Sequence, residues 1–208
     1  MNKIKHIFLF GFISLFALVS CDDDGDDEGN NGGTNNATDI ITKSGEITAD
    51  ETWTSDNIYR LDGRVTVTGG ATLTIEPGTV IKANPGTGSF ASALLISREG
   101  KINAAGTADA PIIFTAISDD LEPGEIASPN LDPANNGLWG GVIILGKAPI
   151  SASGDVVELQ IEGIPTSDAN GLYGGTQYDH NSGVFKYVSI RHGGSNIGQG
   201  NEINGLTM

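Results

Sequence analysis

Residues 69–83 read GGATLTIEPGTVIKA, and residues 99–116 read EGKINAAGTADAPIIFTA. Both pass from Gly through a short strand and a Gly-containing turn to a strand with two bulky apolar residues that closes on Ala. The offset of about 30 residues leaves room for one coil of ~20–25 residues plus an inserted loop. A unit repeated in this way buries its apolar side only by stacking on its neighbours. Alternation within the runs predicts Val65 and Val67 inside and Thr66 and Thr68 outside.

Outward from these two stretches the chain keeps the same style. Short apolar or alternating runs occur at 65–68, 71–75, 79–82, 93–97, 101–104, 111–116, 142–145, 156–161, 184–190 and 205–208, divided by Gly, Pro, Asn and Asp. No sustained 3.6-residue apolar period appears after about Ile47. The class is therefore all-β: a sandwich, a closed barrel or a parallel β-helix. The links Gly69-Gly70 and Glu76-Pro77-Gly78 lack the Asn-Gly and Asp-Gly pairs that dominate two-residue hairpins. That lack and the repeat favour the parallel β-helix, with a β-sandwich as the alternative.

A series of phrases then carries a resemblance: TLTIEPGTVIKA, GKINAAGTADAPIIFTA, GLWGGVIILGKAPIS, IEGI, YGG, SGVFKYVSIRHGGS and NEINGLTM. Together, over residues 45–208, they resemble a family of Bacteroidetes surface lipoproteins. The resemblance implies a right-handed parallel β-helix and a surface location. It carries no catalytic motif and so implies no reaction.

The first 20 residues read as an address. Lys3 and Lys5 precede a largely apolar run from Ile7 to Val19, far short of the ~20 residues a membrane-spanning helix needs. This is a secretory signal peptide. It ends Leu18-Val19-Ser20-Cys21, which resembles a bacterial lipobox with cleavage between Ser20 and Cys21 and acylation of Cys21, palmitate included. The chain contains no other Cys. The expected location is the outer membrane, lipid-anchored and surface-exposed. Asp22 to Glu28 holds six acids in seven residues, followed by GNNGGTNNAT. Such a segment fills no core, so residues 21–42 are expected to be a lipidated tether and 43–208 the β-helix domain. An acidic run directly after the lipidated Cys also resembles the surface-export signal of Bacteroidetes lipoproteins.

The chain carries 26 acidic and 11 basic residues, a formal net charge of −15. From Cys21 onward the balance is about −17, since Lys3 and Lys5 are lost. No nucleic acid is expected as a partner, because bulk electrostatic binding needs a basic face. Gly contributes 30 residues without a three-residue period, which excludes collagen.

Motifs for chemistry are sparse. No Walker loop, HExxH, GxSxG or CxxC occurs. Asp119, Asp120, Glu122 and Glu125 cluster in a loop between strands. They read as a solvated acidic loop, with Ca²⁺ as the alternative because hard oxygen ligands suit it. No other cofactor is expected. Glu158, Gln160 and Glu162 alternate with apolar residues and read as the outward face of a coil strand. Glu158 and Glu162 stand ~13 Å apart on a strand, beyond the ~5–9.5 Å of a glycosidase pair. Candidate ligand contacts are Trp139, Tyr173 and Tyr178, whose rings either stack on sugars or plug loop ends. His180, Arg191 and His192 join them, the last two following a strand directly.

Three functions remain: a non-enzymatic surface lipoprotein that binds a glycan, a matrix component or a partner protein; a polysaccharide lyase or hydrolase on the same scaffold; and a structural part of a surface complex. The first fits best, since it needs only a rigid stack and an anchor. Residues 45–60 are expected to cover the N-terminal end of the stack, with Trp53 buried over the first coil. The last residues, Asn204 to Met208, read as a strand. They suggest a chain that continues into further coils or an end that docks on a partner.

Overall fold

The computed structural model describes residues 38–198 and 201–208, and Ser20, Cys21 and the acidic run lie outside them. Three parallel sheets run along one axis, and each turn of the chain adds one strand to each. The first coil contributes β1 (Ile40–Ile47) and β2 (Glu51–Trp53). The second contributes β3 (Ile58–Val67) and β4 (Thr72–Ile75), and the third β5 (Val80–Ala83), β6 (Ala93–Ile96) and β7 (Lys101–Ala105). Further along come β8 (Ile112–Ala116), β9 (Val142–Ile144), β10 (Glu158–Gln160), β11 (Leu172–Gly174), β12 (Gly183–Lys186) and β13 (Val188–Ile190). The last are β14 (Ser195–Gly198), β15 (Asn201–Ile203) and β16 (Leu206–Thr207).

The register proves the coil. Thr72 pairs with Lys101 and Val80 with Ile113, so the two stretches read as repeats are adjacent turns. Sheet A stacks the first half of β1, the first half of β3, then β5, β8 and β13. Sheet B stacks the second halves of β1 and β3, then β6, β9 and β16. Sheet C stacks β2, β4, β7 and β12. The protein is an all-β parallel β-helix.

One residue of each alternating pair points into the prism. Tyr59, Ile81, Phe114 and Ile190 lie in register along sheet A and form a continuous apolar ladder. Val65 and Val67 are fully buried, as their alternation predicts. Thr66 points outward, yet it is buried too. The cause is a set of insertions that leave at the corners and fold back over the outside. Residues 117–141 place Leu121 on Ile58, Val80 and Ile113 of sheet A. Residues 145–182 and 191–205 place Ile164 and Ile203 on Ala93, Leu95, Ile143 and Leu145 of sheet B.

Several expectations are corrected. Residues 156–161 are not a coil strand. β10 pairs antiparallel with β11 within the insertion, and its polar residues, although Glu158 stays exposed, are tied to neighbouring parts of the chain. Arg98 holds Glu158 at 2.6 Å, the Gln160 amide donates to the carbonyls of Ile164, Pro165 and Asp168, and Glu162 accepts from the Glu202 amide. Val157 and Leu159 are exposed, as Glu158 is, so both sides of the strand meet solvent. A period of two shows that faces alternate without showing which face is covered. Residues 184–190 form two strands of different sheets, divided at Tyr187, whose φ of 49° turns the corner. The first coil begins at Ile40, inside the stretch assigned to the tether. Its strands escape a pattern search because TKSGE and ET are polar.

Candidate functional site

The insertions cover sheets A and B, and among the described residues none packs on the outer side of sheet C. That side presents Thr52, Thr74, Asn103 and Val184 in register across four coils, flanked by Thr72 and Lys101 and by Lys186. Thr52, Lys101, Asn103, Val184 and Lys186 are exposed. Leu73, Ile75, Ile102 and Ala104 anchor it from inside. It is a rigid, polar strip with about 4.8 Å between coils.

A second site lies where the 117–141 insertion meets the end of β13. Asp119 is fully buried. It accepts from Thr115 Oγ1 at 2.6 Å, Ser128 Oγ at 2.7 Å and the Leu121 amide at 3.1 Å. Burial by itself would raise its pKa. The hydrogen bonds from Thr115, Ser128 and Leu121, with His192 nearby, outweigh burial and hold the carboxyl below its usual value. His192 Nε2 lies 3.9 Å from Asp119 Oδ2 and has no hydrogen-bond partner, while Nδ1 donates to the Asn135 carbonyl at 2.5 Å. His192 holds a φ of 58°, which aims the ring back at the insertion. Beside it a cavity of about 450 Å³ is lined by Ser128, Leu131 and Asp132 of the loop and by Ile190 and Arg191 of the coil.

The remaining predicted contacts do not converge on one place. Trp139 has no exposed surface. Its ring stacks 6.4 Å from Phe114, and Nε1 donates to the Arg191 carbonyl, so it plugs the coil. Tyr173 packs on the outer cluster of sheet B. Tyr178 is 89% exposed on the 145–182 insertion. His180 sits 3.1 Å from Ser182 Oγ, and burial, then Lys147 and Lys101, push its pKa down. Ser182 gives its hydroxyl proton to the Leu145 carbonyl. His180 must therefore donate to that oxygen, so the pair is not an activated nucleophile.

Nor do the four acids of the 119–125 stretch gather. Asp119 is consumed by its loop, Glu122 faces Lys82 at 3.7 Å, and Glu125 accepts from the Glu122 amide. Asp120 is exposed. Among the described residues no group of three or more His, Cys, Asp or Glu is arranged to hold a metal ion. Ser128, Asp132 and Asn135 escaped the sequence reading. They lie in an irregular loop with no periodicity, and only the return of the chain at 190–192 gives them a partner.

No curated protein and no solved structure matches the chain. A family model described as a pectate-lyase like beta helix domain matches residues 45–208. Stacked parallel coils agree with that description in strand order and register. The chain therefore belongs to the family of pectate-lyase-like beta helix domains.

Proposed function

We propose that this protein is a lipid-anchored lipoprotein of the outer membrane surface, of the Bacteroidetes type, whose β-helix acts as a non-enzymatic binding module for a surface glycan, matrix component or partner protein. The observation that carries the reading is the bare outer side of sheet C. Two of the three faces are roofed by insertions, and the third presents Thr52, Thr74, Asn103 and Lys101 to solvent on a fixed lattice. Amides, hydroxyls and an ammonium at coil spacing match the hydrogen-bonding groups of an extended chain. The anchor rests on the Ser20-Cys21 junction.

Against catalysis stands the way the acid–base residues are spent. Asp119 accepts three hydrogen bonds, Arg98 is tied to Glu158, and Ser182 donates to a carbonyl. The test is a glycan array probed with the full chain and with the Asn103→Ala/Lys101→Ala variant, run beside an assay for unsaturated sugar products. Binding lost in the variant without product formation supports the module. Product formation would establish a polysaccharide lyase instead.

A further inference from the structure

We propose that the cavity between the 128–136 loop and the end of β13 binds a small aliphatic zwitterion, an amino acid or dipeptide, with Arg191 taking the carboxylate and Asp132 the ammonium. The inference is independent of the open face of sheet C.

The chain has 26 acids and 11 bases, so carboxylates outnumber cations. Lys43, Arg64, Lys82, Arg98 and Lys147 each pair with one, whereas Arg60, Lys101 and Lys186 have none among the described residues. Arg191 has no carboxylate partner among the described residues. Its Nε donates to Ser189 Oγ at 3.0 Å, which fixes the plane of the guanidinium, and its terminal nitrogens have no hydrogen bond. A fork held at its base with its tips free is the geometry that receives a carboxylate through two parallel bonds.

Asp132 lines the same cavity, accepts only from the Ala134 amide at 2.8 Å and has no cation partner among the described residues. A ligand bearing only an anion would meet its repulsion. One bearing an ammonium as well satisfies both walls. Leu131, Pro133 and Ile190 are aliphatic, and apart from the His192 imidazole, which is held by the Asn135 carbonyl, no Trp, Tyr or Phe lines the space. A sugar ring lacks its usual stacking platform there, whereas a branched aliphatic side chain finds contacts. The volume of about 450 Å³ falls within the range of small-molecule sites. The loop wall is itself fixed, because His192 holds the Asn135 carbonyl and Ser128 is bonded to Asp119.

The test is isothermal titration calorimetry on the full chain in detergent micelles. The ligands are leucine, Gly-Leu, leucinamide, 4-methylpentanoate and galacturonate. Leucine or Gly-Leu is expected to bind, and the tighter of the two identifies the source. Leucinamide and 4-methylpentanoate, each lacking one charge, are expected to bind at least about tenfold more weakly, as are Arg191→Gln and Asp132→Asn with leucine, since each loses one charge-assisted contact. Asp132 lies on an exposed loop, so its variant keeps the test valid if Arg191→Gln does not fold. No heat with leucine or Gly-Leu, stronger binding of galacturonate, or affinity unchanged in Asp132→Asn would overturn the proposal.

Discussion

Trp53 of the first coil and Tyr59 of the second lie stacked, with ring centroids 4.8 Å apart and planes 11° from parallel. Both rings are buried, the Tyr59 hydroxyl accepts from the Thr54 amide, and Trp53 Nε1 donates to Glu51. The pair joins the end of β2 to the start of β3 across the turn at 54–57.

Replacing Trp53 by Ala empties that junction. The expected cost is about 3–5 kcal/mol, the range for a fully buried aromatic truncated to Ala. Urea unfolding of the two proteins at equal m-value measures it. Wild-type Trp53 should also resist acrylamide quenching, and quenching as fast as free indole would exclude the buried position.

Gly183 tests the coil register. A Cβ there would lie 1.8 Å from the Ile102 carbonyl oxygen, which is backbone, and φ is 122°. Gly183→Ala must therefore push β12 away from β7. It is expected to destabilise by more than the ~1–3 kcal/mol of typical overpacking, with amide exchange rising first at residues 183–186.

Asp119 makes the stability of its loop depend on acid. Its folded pKa is lowered, so the stabilisation is present above the unfolded value of about 3.9 and is lost as pH falls through the lower folded value. Below about pH 4 the 117–136 loop should open to protease before the coil melts. Asp119→Asn should lower the stability at pH 7 by about 1–3 kcal/mol and abolish that pH dependence. Equal pH profiles in both proteins would refute the role.

Cys21→Ala tests the anchor. Two or more acyl chains give stable membrane attachment where one gives marginal binding. The variant is expected in the soluble fraction and the wild type in the membrane pellet. A variant that still pelleted in high salt would place the anchor elsewhere.

The sequence by itself determined the coil. Short β-branched runs, Gly turns and the echo of 69–83 in 99–116 are local facts, and a repeat that cannot bury its apolar side alone has to stack. The burial of Val65 and Val67 was legible for the same reason, whereas Trp53, expected in an end cap at 45–60, is buried as part of coil strand β2 paired with β4. What lay outside the coils was decided only by tertiary structure. The alternation at 156–161 is the same in a coil strand and in a hairpin folded over sheet B, so it could not tell one from the other. The cavity joins Asp132 to Arg191, residues on an irregular loop and at a strand end. Their approach depends on where Leu121 packs against Ile58, Val80 and Ile113. That contact is between distant parts of the chain, and no period or motif encodes it.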